Sequence, residues 1–199
     1  MKIHHTPAMT LTELIVASVI IGIVMVGIVS IDFALRRSHL GTSRNSLLSM
    51  QTSHMLLEIS KDAQLATGDQ TNPGIDIQPP LGPPPYTLCI RRENPAAPPL
   101  TPADYSDDQW VCYSHDTVTN RLYKCIDPNN PVVCTGGPGD TDLGTISAFV
   151  PTLLTNPLTN DFSLDIDIIS IYNPNVAVNV IDNPANNMHG RFNLISHSF

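Results

Sequence analysis

The most apolar stretch of the chain lies near its amino terminus, where an uncharged run extends over Leu14–Ile31. At the 1.5 Å rise of an α-helix this run reaches about 27 Å, which is close to the thickness of a bilayer's hydrocarbon core. The run starts directly after Glu13 and ends shortly before the basic pair Arg36-Arg37. The pattern therefore predicts a membrane-spanning helix over residues 9–35.

Apolar residues continue beyond this run at spacings of three, four, seven and eight, which places them on one stripe of a helix. The stripe consists of Leu40, Leu47, Leu48, Met55, Ile59, Ala63 and Ala66. Gly68, followed by Asn72-Pro73-Gly74, is typical of a helix end. We therefore predict an amphipathic helix over 36–68 that continues the first helix and carries a globular head.

The head, residues 69–199, begins with a proline-rich segment over 72–102, which is unsuited to a helix or a central strand. It predicts an extended loop, interrupted by one short strand at Tyr86–Arg91. Alternating and β-branched or aromatic residues predict further strands at 110–114, 121–126, 145–150, 162–172, 176–181 and 191–199. The first two of these flank a polar turn and predict a hairpin. The whole chain therefore predicts an α+β fold, with a long N-terminal helix packed on an antiparallel β-sheet head.

The residues before the apolar run have the order of a processed leader. The short segment 1–8 ends in Ala8, a small residue at the boundary between polar and apolar sequence. A conventional secretory signal is cut after its apolar core. Cleavage after Ala8 instead leaves the apolar helix on the mature chain, with Met9 as its new amino terminus.

The sequence that follows, Met9-Thr10-Leu11-Thr12-Glu13-Leu14, resembles the prepilin signal of type IV pilins and type II secretion pseudopilins. That family's pattern is a small residue, a cut, an apolar residue, Thr-Leu-x-Glu-Leu and then a long apolar helix. The chain departs from it at one position, since Ala8 stands where Gly is usual. The resemblance implies that 1–8 is a leader peptide, that prepilin peptidase cleaves between Ala8 and Met9, and that Met9 is N-methylated.

For the mature chain the resemblance implies a pilin-like fold and a structural role in a filament. It implies that Leu11, Glu13 and Leu14 act in assembly, and that Glu13 pairs with the amine of Met9 on the same or a neighbouring subunit. A physical reason supports such a pair, because an unpaired carboxylate is costly among bundled helices away from water. The implied partners are other pilin or pseudopilin subunits, the prepilin peptidase, the inner-membrane assembly platform and, before assembly, the membrane.

The size of the head, its proline-rich loop and its hairpin, which looks like that of J-type minor pseudopilins, favour a minor subunit. Such a subunit helps to initiate or cap a type IV pilus or a type II secretion pseudopilus. The implied location is the inner membrane, in a single pass with an extracytoplasmic head, followed by a periplasmic or cell-surface filament. The alternative is a signal-anchored binding protein or adhesin that keeps its leader and does not polymerise.

The four cysteines, Cys89, Cys112, Cys125 and Cys134, all lie in the head. Their even number and the absence of zinc-type spacing favour two disulfides formed in an oxidising compartment. We favour Cys89–Cys112 with Cys125–Cys134, because the second pair closes the turn-rich segment 126–131. Buried reduced cysteines are the alternative.

Charge and motif content argue against several other roles. The formal net charge is −8, and removal of Lys2 with the leader lowers it to −9, so direct binding of nucleic acid is not expected. No H-E-x-x-H, G-x-S-x-G or phosphate-loop motif occurs, and we expect no enzymatic activity. No cofactor is expected except calcium, for which Asp140 and Asp142 in a glycine-rich loop are candidate ligands. Plain solvated loop acids are the alternative there.

Overall fold

One helix and seven strands form the regular structure of the described residues. The computed structural model describes residues 10–68, 73–79, 84–96, 105–128, 130–155, 162–179 and 181–194. Its elements are α1 (Leu11–Gln64), β1 (Ile75–Gln78), β2 (Thr87–Arg92), β3 (Gln109–Asp116), β4 (Arg121–Asp127), β5 (Thr141–Thr155), β6 (Phe162–Ile171) and β7 (Ala185–Asn193). The strands form one sheet in sequence order, each antiparallel to the next. The predicted α+β class, a long helix on an antiparallel sheet, is confirmed.

The core of the head lies between the second half of α1 and one face of the sheet. The helix contributes Met55, Ile59 and Ala63, all fully buried. The sheet contributes Leu88, Ile90, Val111, Tyr113, Leu122, Ile146, Phe149, Leu164, Ile166 and Ile168. Each such aliphatic or aromatic side chain stabilises the fold by about 1.5–3 kcal/mol when fully buried. The helix is therefore held by a continuous apolar interface that runs across most of the sheet.

The predicted apolar stripe is only partly the buried face of the helix. Leu48, Met55, Ile59 and Ala63 are buried as expected, whereas Leu40 and Leu47 are each 56% exposed. The head begins to cover the helix near Gly41, so Leu40 lies before the packed region. Polar side chains complete the buried face instead, including Thr52, whose hydroxyl is 2.6 Å from that of Ser170 on β6.

Helix α1 ends at Gln64, before the Gly68 that the sequence indicates. Ala66 forms an antiparallel bridge with Arg92 at the end of β2, and the backbone N–H of Thr67 donates to the carbonyl of Arg91 at 2.8 Å. Pairing with the sheet thus replaces the last predicted turn of helix. Gly68 correctly indicates that the helix ends in this region, but the bridge between Ala66 and Arg92 determines the residue at which it ends.

The close approach of helix and sheet requires a glycine at one position. Gly144 on β5 has φ +135°, and a Cβ at this position would overlap the side chain of Gln51 on α1. A backbone conformation of this kind is rarely adopted by residues other than glycine. Gly144 therefore allows the helix to lie against the start of β5.

The predicted hairpin is confirmed, with β3 and β4 joined by the turn 117–120. The strand predicted at 176–181 is wrong: its described residues belong to the connection between β6 and β7. There Asn179 accepts hydrogen bonds from the backbone of Ile181 and Asp182, and such side-chain bonds replace strand pairing.

Two other differences concern the edges of the sheet. Strand β1 lies within the proline-rich segment and was not predicted. Among the described strands it pairs with β2 alone, and it is flanked by Pro73 and Pro79, which an edge strand tolerates. The predicted last strand, 191–199, begins earlier, at Ala185 in β7, and its residues 195–199 lie outside the described part of the chain.

One buried titratable side chain, that of His115, lacks hydrogen-bond partners for its ring nitrogens among the described residues. His115, at the end of β3, is 7% exposed, and neither ring nitrogen has a hydrogen-bond partner among the described residues. Burial lowers the pKa of His115, and the carboxylate of neighbouring Asp116 opposes that effect. The folded state therefore favours the neutral form of the imidazole, and His115 is protonated more readily in the unfolded chain than in the folded one.

We predict that His115→Phe makes the stability of the head less sensitive to acid. Because the folded pKa is lowered, the parent should lose stability as the pH falls below about 6.5, the ordinary pKa of histidine. The variant should be more stable at pH 7 by about 1 kcal/mol, since no buried polar atoms stay unpaired, and the gain should grow towards pH 5. Chemical unfolding of the detergent-solubilised chain, followed by Trp110 fluorescence, measures both. If the free energy of unfolding fell equally steeply with decreasing pH in the parent and in the variant, this explanation would be contradicted.

Candidate functional site

The first half of α1 presents apolar side chains on all its sides to the surroundings. Large apolar residues from Leu11 to Leu35 are 54% or more exposed, and the described chain packs no other element on them. By length and composition, this part of α1 can cross a membrane. The predicted apolar helix is therefore present, and no described residue of the head covers it.

The amino-terminal end of α1 carries a complete capping box. The hydroxyl of Thr10 accepts a hydrogen bond from the backbone N–H of Glu13, and the carboxylate of Glu13 accepts one from the backbone N–H of Thr10 at 2.8 Å. The Thr10 hydroxyl also lies 2.8 Å from the same carboxylate oxygen. The sequence T-x-x-E is the signature of this motif. Sequence reasoning overlooked it because Thr10 was not considered as a partner of Glu13.

The predicted assembly residues therefore share one helix end. Leu11 and Leu14 flank Glu13 and are 76% and 58% exposed. Ala8 and Met9, the predicted processing site, lie outside the described residues. The pairing of Glu13 with the Met9 amine stays a prediction, and Thr10 is the partner that the structure gives to the carboxylate.

A buried ionic cluster connects the other end of α1 to the sheet. Asp62 is 2% exposed and lies on the helix face that packs against β2, β3 and β4. Its carboxylate accepts hydrogen bonds from Arg92 Nη1 at 2.6 Å and from the hydroxyl of Tyr113. Lys124 Nζ lies 2.8 Å from its second oxygen. One carboxylate thus contacts three neighbouring strands.

Glu58, one turn before Asp62, extends this cluster towards solvent. It pairs with Lys61 at 2.8 Å and with Lys124 at 3.2 Å, and hydrogen bonds from these two ammonium groups lower the pKa of Glu58. Burial, followed by the charge of Asp62, raises the pKa of the Tyr113 phenol, which therefore stays protonated and donates. Sequence reasoning missed the cluster, although an acid three residues after Ile59 and one before Ala63 was a visible interruption of the apolar stripe.

Two disulfides lie on the opposite face of the sheet. Cys89 bonds to Cys112, which is directly opposite on β3, and Cys125 on β4 bonds to Cys134. This is the connectivity that the sequence favours. Cys112 is also the register partner of Cys125, so all four residues form one cluster, with Trp110, Tyr123 and Val132 packed around it. The disulfides join β2 to β3 and fasten the segment after β4 to the sheet.

The structure gives the calcium candidates other partners. One carboxylate oxygen of Asp140 accepts three hydrogen bonds, from the backbone N–H groups of Thr135, Gly136 and Gly137. Asp142 pairs with Arg121 on β4. Within the described residues no group of three or more His, Cys, Asp or Glu side chains converges. Calcium binding at Asp140 and Asp142 stays an untested prediction.

Comparison with known families, with curated proteins and with solved structures found no match. The resemblance to the prepilin signal therefore depends on the segment 8–14, of which 10–14 are described. What the head contributes must be inferred from its own contacts.

We predict that Asp62→Asn destabilises the head by about 3–5 kcal/mol, because it removes the counter-charge of the mostly buried Arg92 and one of the two carboxylates that pair with Lys124. Lys61→Ala is the matched control on the same helix. It removes an ion pair whose lysine is 58% exposed, and exposed pairs contribute less than about 1 kcal/mol. Urea unfolding of the detergent-solubilised chain compares the two. Equal effects of the two substitutions would show that Asp62 is not the connecting residue.

Proposed function

We propose that this chain is a subunit of a type IV pilus or type II secretion pseudopilus, held in the membrane and then in the filament by the first half of α1. The observation that carries the proposal is the exposed apolar half-helix, whose uncharged run starts directly after Glu13 and which continues without interruption into the half that the head covers. An apolar helix surface of this kind needs lipid or other helices around it. A helix with one exposed apolar half and one half covered by the head could move from a bilayer into a bundle of helices in a filament and keep its head attached.

The dimensions of α1 support this role. Its 54 residues span about 80 Å, far more than a bilayer needs. The apolar half is long enough for the membrane, and the remainder holds the head outside it. In a filament, the same apolar halves would form a central bundle and the heads its surface.

Glu13 is the residue that would set the register between neighbouring subunits. A carboxylate in a bundle of apolar helices needs a cation or several donors. Thr10 supplies two donors but no positive charge. The amine that cleavage after Ala8 would create at Met9 supplies that charge, either on the same chain or on the next.

We infer a minor position in the filament, with an extracytoplasmic head and no enzymatic role. Two disulfides are consistent with an oxidising compartment, and the large, proline-rich head is consistent with a subunit that initiates or caps assembly. The expected partners are other pilin-type subunits, prepilin peptidase and the assembly platform.

One observation favours the rival function, an anchored binding protein that does not polymerise. The capping box gives Glu13 a complete role within its own helix, and a helix cap needs no neighbouring subunit. The two functions therefore differ in what removal of Thr10 and of Glu13 should do.

We predict that Glu13→Val is cleaved normally but enters filaments poorly, whereas Thr10→Val is cleaved and still assembles. Thr10→Val removes the cap and keeps the carboxylate, so it is the matched control for an effect on the helix end alone. Sheared filament fractions and the membrane pool are compared by immunoblot in cells that assemble the filament. Equal incorporation of Glu13→Val and the parent, or equal loss in both variants, would contradict the role of Glu13 in register.

A further inference from the structure

One cysteine of the disulfide cluster has two register partners. Cys112 on β3 lies directly opposite Cys89 on β2 and also directly opposite Cys125 on β4. Directly opposed residues of antiparallel strands have Cα atoms about 4.5–5.5 Å apart, a distance that a disulfide can bridge. Cys112 is bonded to Cys89 in the native structure. The register therefore also permits a second bond, Cys112–Cys125, which the folded chain does not contain.

The bond that the folded chain lacks lies within a single hairpin. Strands β3 and β4 are connected by the turn 117–120, and the carboxylate of Asp116 accepts hydrogen bonds from two residues of that turn. Asn120 adopts φ +53°, a left-handed conformation that asparagine tolerates in turns. A hairpin forms within about 1–10 μs, whereas disulfide formation takes seconds or longer. The hairpin therefore brings Cys112 opposite Cys125 before any disulfide has formed.

The native partners depend on contacts outside this hairpin. Cys89 lies on β2, 23 residues before Cys112, and reaches it only when β2 pairs with β3. Cys134 belongs to no strand. Its backbone N–H donates to the hydroxyl of Ser114 at 2.9 Å, and the same hydroxyl accepts a hydrogen bond from Thr87 on β2 at 3.0 Å. The native pairs therefore require tertiary contacts that form later than the hairpin.

The segment that carries Cys134 crosses directly over both hairpin cysteines. Its sulfur is bonded to that of Cys125 and lies 3.2 Å from the carbonyl oxygen of Cys112. The backbone N–H of Val132, two residues earlier, lies 3.4 Å from the sulfur of Cys112. A thiolate at Cys134 that arrives in this position would meet a Cys112–Cys125 disulfide at contact distance.

We propose that oxidation of this chain begins with a disulfide between Cys112 and Cys125, and that Cys134 then converts it into a native pair. The thiolate of Cys134 attacks the sulfur of Cys125, so that the Cys125–Cys134 bond forms and the Cys112–Cys125 bond breaks. Cys112 leaves as a thiolate and takes up the proton that Cys134 released. It is then free to pair with Cys89.

Two steps of this sequence are oxidations, and the exchange between them is redox-neutral. The first bond, Cys112–Cys125, and the last, Cys89–Cys112, each remove two electrons and two protons from a pair of thiols. A disulfide oxidant such as oxidised glutathione accepts them and becomes two thiols. The non-native bond is therefore a folding intermediate that the register of β3 and β4 creates and the segment 132–134 removes.

The test follows the disulfides while the full chain refolds. The reduced chain, unfolded in urea, is diluted into detergent micelles with reduced and oxidised glutathione and is quenched with acid at successive times. Alkylation of free thiols and peptide mass spectrometry then map the molecules that contain one disulfide. Without a hairpin, loop length alone would give about 0.6 molecules with Cys112–Cys125 for each with Cys125–Cys134, whose cysteines are 9 residues apart.

We expect this ratio to exceed 1 at the earliest times and to fall as Cys125–Cys134 accumulates. A ratio of 1 or less from the start would overturn the proposal. Because the measurement concerns early intermediates, it does not depend on whether a variant completes its folding.

Asn120→Val tests whether the hairpin causes the early bond. It places a β-branched residue at a positive φ in the turn and leaves every cysteine in place, so the ratio should fall to about 0.6. Gly139→Ala is the matched control, since it strains a glycine at φ +101° outside the hairpin, where a Cβ meets no neighbour within 4 Å. Its ratio should stay above 1. An unchanged ratio in Asn120→Val, or an equal fall in both variants, would overturn the role of the hairpin.

Cys134→Ser tests the exchange step, and Cys89→Ser is its matched control. Loss of the attacking thiol should make the Cys112–Cys125 bond persist, whereas Cys89→Ser should convert it to Cys125–Cys134 at the parent's rate. In the parent, this rate should not depend on the glutathione concentration. Equal slowing in the two variants, or a rate proportional to reduced glutathione, would show that Cys134 does not perform the exchange.

Discussion

The rest of this structure depends on one constraint: among the described residues, the apolar side chains of the first half of α1 pack against no core. Leu14 to Ile31 would expose a continuous hydrocarbon surface to water, and the free-energy cost of that exposure grows with the area. By length and composition the segment could span a membrane, where lipid would surround it. The described part of the head contacts α1 from Arg37 onward and leaves the apolar half uncovered.

The second half of α1 solves a different problem, which is to hold the head in one orientation. Contacts between Met55, Ile59 and the aliphatic face of the sheet are strong but tolerate small shifts. Asp62 does not, because its carboxylate meets Tyr113, Arg92 and Lys124 in only one position of the helix. The apolar interface therefore supplies most of the stabilisation of the helix–sheet packing. The ionic cluster determines the position of the helix on the sheet.

Sequence patterns predicted the helix, the hairpin, the cysteine pairs and the α+β class because each depends on local periodicity or spacing. These patterns failed where side-chain hydrogen bonds or contacts with distant strands determine the local structure. Asn179 and Asn183 turned an apparent strand into a hydrogen-bonded connection, and pairing of Ala66 with Arg92 shortened the helix. The partners of Asp62 come from three strands 30 or more residues away along the sequence, which no local pattern contains. The capping box of Thr10 and Glu13 could have been predicted from the sequence T-x-x-E, which indicates where a helix begins and nothing about assembly.

The proposed filament role requires that the leader be removed and the helix be kept. The most direct measurement is the intact mass of the membrane-extracted chain, from cells with and without prepilin peptidase. We expect a peptidase-dependent mass that begins at Met9 and carries one additional methyl group. A mass that retains residues 1–8 in both strains would contradict the proposal, because no amine would then exist at Met9 to pair with Glu13.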